Sequence, residues 1–312
     1  MGLTRKRLLA AATESPYGTS SNPGGTSAIL VNDDLAITPI DADELERTTI
    51  QTHFGARRKF LINQKVGITF TVDLSGSGTA GTAPKFGRLI QACGFSETIV
   101  ASTSVTYALQ ADYSTHSSVS MAFHADGQRH TATGCRGTVK LTATESEYPK
   151  LEFAMTGIYA APTDLALPTP TYGNQADPVV FNSTNTTNIS INSFTSACLS
   201  ELELDIANNI VYRERPGCGK EVRITDRAGT GSAMIEAPAL ASADFFAAAI
   251  ASTLGTFSFQ HGQTAGNICT VTSRTNFGAP TYGDSDGIQM LSIPFGLVPS
   301  STGNDELSLV FT

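Results

Sequence analysis

The chain has 312 residues, 40% hydrophobic and 15% charged, with 28 Gly, 14 Pro and no Trp. Acidic residues outnumber basic ones 28 to 20, which argues against a nucleic-acid-binding stripe and against an anionic membrane surface as partner. The length points to two domains, because single cores seldom grow beyond about 250–300 residues.

Arg5-Lys6-Arg7 followed by Leu8-Leu9-Ala10-Ala11-Ala12 imitates a secretory leader. Its apolar run is shorter than the roughly 7–15 residues of an h-region, so the sequence reads as one short helix over 4–12. No stretch approaches the roughly 20 apolar residues of a membrane span. Cys93, Cys135, Cys198, Cys218 and Cys269 form no C-x-x-C pair and read as free thiols in a reducing compartment.

From residue 13 to 25 the composition turns to Ser, Thr, Pro, Gly and Asn, that of an extended arm, and 28–31 is strand-like. Residues 66–74 alternate apolar and polar, the period of a strand with one buried face. Pro84 and Gly94 punctuate a helix over 84–93. Asp126-Gly127 predicts a two-residue hairpin between strands 119–124 and 128–133. Strands over 137–144 and 150–159 follow. Residues 160–192, rich in Pro and then in Ser, Thr and Asn, read as a linker; its three N-x-[ST] sequons follow from composition.

The second half repeats this plan: strands over 199–212 and 232–236, a helix over 242–251 ended by Gly255, then strands over 256–261, 267–273 and 287–298. Lining up 80–94 with 237–255 and 150–162 with 289–299 points to a duplicated β domain. The expected division is a helix and arm over 1–35, a first β domain over 36–160, a linker over 161–192 and a second β domain over 193–312.

No catalytic motif appears. Gly76-x-Gly78-x-x-Gly81 follows a strand, but the loop runs on through Pro84 before a helix of barely three turns, outside any βαβ unit, and reads as a flexible connector. His124 and His130 flank the hairpin turn and read as an exposed pair. There is no G-x-S-x-G elbow, no H-E-x-x-H and no ligand set for a metal. Arg57, Arg58 and Lys59 in the first half, and Arg213 and Arg215 in the second, follow the first strand of each half and are candidate inter-subunit contacts.

Several segments, in order and spacing, resemble the major tail tube protein of long-tailed bacteriophages. They are Leu8–Ala12 with Tyr17-Gly18-Thr19, Ala28–Val31, Ile37–Ile40, Ser75–Pro84 with Leu89–Phe95, Gly157–Asp164, Thr281–Asp284 with Asp286-Gly287, and Gly303–Leu307. The resemblance implies a mainly β protein of two tandem tail-tube-type β-sandwich or barrel domains, each with one helix. It implies a structural role with no enzyme activity and no cofactor. Rings of three chains, or alternatively six, would stack into the hollow tail of the virion and conduct DNA without binding it specifically. Other implied partners are the tape measure, terminator and distal tail proteins, with assembly in the host cytoplasm and no membrane. The alternative is a carbohydrate-binding or decoration module, against which the absence of Trp weighs.

On residues 199–206, Leu202, Leu204 and Ile206 alternate with Glu201, Glu203 and Asp205. Asp73 and Glu152 occupy polar faces of their own strands. Carboxylates in such a row must stay in water, and like charges along one face destabilise a strand. The expectation is that Glu201, Glu203, Asp205, Asp73 and Glu152 line a channel.

Overall fold

Alternation of apolar and polar side chains governs most of the chain, and strands form wherever it does. The computed structural model describes residues 5–312. The first half contains β1 (Arg7–Thr13), β2 (Ala28–Ile29), β3 (Ala36–Glu46), β4 (Lys59–Asp73), α1 (Gly87–Ala92), β5 (Phe95–Val100), β6 (Ser104–Leu109), β7 (Val119–Ala125), β8 (Gln128–Thr144), β9 (Lys150–Tyr159) and β10 (Thr163–Asp164). The second contains β11 (Thr186–Ile191), β12 (Leu199–Asp205), β13 (Asn208–Arg215), β14 (Gly219–Arg227), β15 (Thr230–Glu236), α2 (Phe245–Ile250), β16 (Leu254–His261), β17 (Cys269–Phe277), β18 (Thr281–Ser285), β19 (Ile288–Leu297) and β20 (Leu307–Phe311). Among the described residues no helix is long and apolar enough to cross a membrane.

One antiparallel ladder, β3–β4–β9–β8–β12–β15–β19–β18, runs through both halves. Strand β8 makes this possible. Its first part pairs with β7 through Arg129 and its neighbours, and its last part pairs with β12 through Lys140 to Thr144. Between these parts the register slips and Gly134 sits at φ +59°. That left-handed backbone favours glycine, and a Cβ there would lie 2.6 Å from the Tyr17 hydroxyl. Strand β7 continues to β1 and β2, while β17 continues to β16 and β11 on one side and to β20, β6 and β5 on the other. The buried sides of these strands form one hydrophobic cluster, with Phe70 and Phe153 from the first half and Phe257 and Phe295 from the second.

The expected hairpin at Asp126-Gly127 forms between β7 and β8, and α1 and α2 fall inside the expected helices. Asp244 caps α2 by accepting the Ala247 N–H at 2.8 Å. The reading of 4–12 as a helix is corrected: Arg7–Thr13 is a strand paired along its whole length with β7, and residue 4 lies outside the described residues. Helix propensity favours the alanines locally, but burial of Leu8 to Ala11 between two strands outweighs a preference of a few tenths of a kcal/mol per residue.

The arm over 13–34 folds back on its own chain. Glu14 is buried and accepts from Gly18 N–H at 2.8 Å, Ser118 Oγ at 2.7 Å, Ser120 Oγ at 2.8 Å and Gly134 N–H at 2.7 Å. The segment read as a linker contains β11, paired with β16, and a buried Phe181. The strand expected over 199–212 breaks into β12 and β13 at Ala207, φ +47°, whose N–H is held by Asp205 Oδ1 at 2.7 Å.

Candidate functional site

The shared ladder has two chemically opposite sides, because side chains alternate along each strand. On one side Phe70, Val72, Leu151, Phe153, Leu141, Leu202 and Leu204 are buried in the core. On the other, register sets charged residues from four strands beside one another. Thr71, Glu152, Lys140 and Asp205 form one row across β4, β9, β8 and β12, and Asp73, Lys150, Thr142 and Glu203 form the next.

Lys140 is the centre of this face. Its Nζ lies 3.4 Å from Glu152 and 3.6 Å from Glu203. Partial burial works against its charge, but the two carboxylates outweigh burial and raise its pKa. Thr142 Oγ1 donates to Glu152 Oε1 at 3.3 Å. Asn32 caps the β4 end, donating to Asp73 Oδ1 and to Thr71 Oγ1, both at 2.9 Å. Glu201 is exposed and sits opposite Thr144 and Met234.

Asp73, Glu152, Glu203 and Asp205, far apart in sequence, therefore share one face, with Glu201 at its end. What sequence reasoning missed are the two lysines, Lys140 and Lys150. They were legible only as polar positions of alternating strands; their place between carboxylates depends on cross-strand register.

The candidate contact residues occupy two separate hairpins. On β3–β4, Arg57 lies 3.9 Å from Glu46, Lys59 pairs with Glu44, and the Arg58 guanidinium sits 4.7 Å from the Phe60 ring centroid. On β13–β14, Arg213 faces Glu221 and Arg215 faces Gly219. The second hairpin is held against the first half by a node that the sequence did not signal. The Val222 N–H donates to Tyr17 Oη at 2.7 Å, Arg136 Nη1 donates to Val222 O at 2.9 Å, and the Arg136 guanidinium stacks 4.8 Å from the Tyr17 ring centroid. Burial, partly opposed by the Val222 bond, pushes the Tyr17 phenol up to about 12.

Two motif readings are corrected. The loop 76–81 is not a loose connector: Gly76 N–H donates to Asn267 Oδ1 at 2.6 Å and Gly78 N–H to Gly266 O at 2.9 Å, which ties the halves together. A Cβ at Gly76 would lie 1.9 Å from Gly266 O. His124 is buried rather than exposed, and the hairpin register sets it opposite Arg129, with His130 opposite Phe123. Among the described residues no three His, Cys, Asp or Glu side chains converge as metal ligands. The five cysteines are free, and burial raises the pKa of Cys93, Cys135 and Cys269.

The site is thus a two-faced β ladder whose open side carries charged residues from four strands. No curated protein matches the chain. The family model described as phage tail tube protein matches residues 4–297, nearly the whole length, and the chain belongs to the phage tail tube protein family, structural components of the virion tail.

Proposed function

We propose that this protein polymerises as rings of three chains, each giving two copies of the tube unit, and that the rings stack into a tube whose channel is lined by the charged face of the shared ladder. The observation that carries this reading is the continuity of one two-faced ladder through both halves of a single chain. A ring that needs six equivalent units is then completed by three chains, with true threefold and pseudo-sixfold symmetry.

The channel lining follows from charge. Five carboxylates and two lysines leave the face net negative, and a negative wall repels DNA phosphates at the range of the Debye length, about 8–10 Å in physiological salt. The genome then slides past without being held. The candidate contacts Arg57, Arg58, Lys59, Arg213 and Arg215 support the assembly from the rims of the two hairpins. Tape measure, terminator and distal tail proteins are the expected partners at the ends of such a tube.

Negative-stain microscopy of the concentrated protein tests this. Long hollow tubes whose ring map holds three chains are expected. Six chains per ring, each giving one segment, would overturn the stoichiometry, and absence of hollow assemblies would overturn the tube.

A further inference from the structure

Two half-buried cations stand without a carboxylate partner where the chain enters α1. Lys85 precedes the helix and Arg88 lies on its first turn, and both are partly withdrawn from water. Among the described residues neither forms an ion pair, whereas Lys140 on the ladder has carboxylates at 3.4 and 3.6 Å. Each is held by one backbone carbonyl instead: Lys85 Nζ donates to Thr26 O and Arg88 Nη1 to Ala11 O, both at 2.8 Å. An ammonium carries three donors and a guanidinium five, so most of their donors meet no protein acceptor. Burial and the neighbouring Arg88 push the Lys85 pKa down, and burial does the same to Arg88 against the pull of Glu97. Cations gathered in a partly dry place are costly unless an anion joins them. In a chain of net charge -8 such a pair does not follow from composition.

Both cations border a cavity of about 480 Å³, within the roughly 300–1,000 Å³ of small-ligand sites. Its wall is built from segments far apart in the chain: the end of β1 at Thr13, the loop at Thr82, α1 itself, and Asn174 in the segment after β10. The side chains of Thr13, Thr82 and Asn174 make no hydrogen bond among the described residues. The frame is tied together, since Lys85 N–H donates to Asn174 O at 2.8 Å and Ala176 N–H to Gly76 O at 2.9 Å. One carboxylate, Glu97 on β5, also borders the cavity. It is engaged by Gln91, whose Nε2 donates to Glu97 Oε1 at 2.6 Å, and burial raises its pKa. Glu97 offsets one of the two positive charges and leaves the cavity net positive.

We propose that this cavity binds a small phosphate-type oxyanion between Lys85 and Arg88. Lysine offers a point charge and arginine a planar fork, with two hydroxyls and a carboxamide along the same wall. Phosphate oxygens diverge tetrahedrally and can meet several of these donors at once, which the two coplanar oxygens of a carboxylate cannot. The site lies within one chain and does not depend on how copies assemble. Its occupant fastens the folded-back N-terminal segment, the loop before α1 and the 160–192 segment to one another. Because the three segments converge only in the folded chain, binding stabilises the fold by mass action.

The free ion and the phosphate of a small monoester share this chemistry, and the test separates them. Thermal unfolding of the full chain is followed in inorganic phosphate, in glycerol 2-phosphate and in sodium chloride of matched ionic strength, at one pH, with calorimetric titration giving the affinities. At least one phosphate ligand should raise the unfolding temperature beyond chloride, and the tighter of the two identifies the source. Lys85→Met should weaken binding at least about tenfold, the equivalent of one charge-assisted hydrogen bond. Its unfolding in chloride should stay nearly unchanged, because Thr26 is exposed and water replaces the ammonium at its carbonyl. Glu97→Gln keeps an acceptor for Gln91, removes the opposing charge and should tighten binding several-fold. No gain over chloride, or equal gains for the unsubstituted protein and Lys85→Met, would mark a general salt effect and overturn the site. Unchanged or weaker binding by Glu97→Gln would overturn it independently of how Lys85→Met folds.

Discussion

Lys140 on β8 and Glu203 on β12 meet at 3.6 Å across the line where the first half of the chain joins the second. The same ammonium also reaches Glu152 on β9 at 3.4 Å, so one cation serves two carboxylates on three adjacent strands. Backbone pairing and charge pairing act at the same seam, on the open face of the ladder that we propose as the channel wall.

Lys140→Gln tests how much that cation contributes. The groups are partly exposed, so the loss should be modest, up to about 1 kcal/mol, and smaller in high salt. The sign with pH is fixed by the raised pKa of Lys140. Its stabilisation is fully present below the ordinary value of 10.5 and is lost as pH rises through the raised folded value. Denaturant titrations of both proteins should therefore differ at neutral pH and converge in strong alkali.

Replacing Glu201, Glu203 and Asp205 together by Lys reverses the charge of β12's open face while leaving its buried leucines untouched. Tubes should still form, and DNA ejection should slow or stall as phosphates adhere to the wall. Microscopy and a fluorescence assay of genome release give the two readings. Unimpaired ejection, or a map with these side chains on the outer wall, would remove this strand from the channel.

Glu14 organises the folded-back N-terminal segment through four hydrogen bonds from buried or half-buried donors. Glu14→Ala leaves those donors without their acceptor and should cost about 2–4 kcal/mol, read as a lowered denaturation midpoint. Deleting residues 1–34 removes β1 and its buried Leu8 to Ala11 as well. That truncation should fail to fold, rather than yield a folded protein unable to polymerise.

Acid should destabilise the fold through its buried imidazoles. Burial lowers the pKa of His116, His124 and His261 below 6.5. Their neutral forms suit the folded state, so this stability is full above 6.5 and falls as pH drops, by at most about 1.4 kcal/mol per pH unit for each histidine. His261 bonds Thr186 Oγ1 at 3.0 Å and Val179 O at 3.1 Å. His261→Gln keeps an amide for those partners and should flatten the pH dependence of unfolding between about pH 5 and 7.

Alternation alone determined which residues of each strand face the core and which face water, since that period is a property of the extended backbone. It is why Glu201, Glu203, Asp205, Asp73 and Glu152 could be assigned to open faces before any strand had a neighbour. Glycine and proline punctuation likewise placed both helices and the Asp126-Gly127 turn, where local backbone preferences decide. Tertiary structure decided everything that depends on which strand lies beside which. Lys140 comes to stand between Glu152 and Glu203 only because β8 pairs with both β9 and β12. The alanines of β1 form a strand because β7 supplies their hydrogen bonds and a buried site. Pairing energy is gained between residues far apart in the chain, and no local pattern in either partner records the register at which they meet.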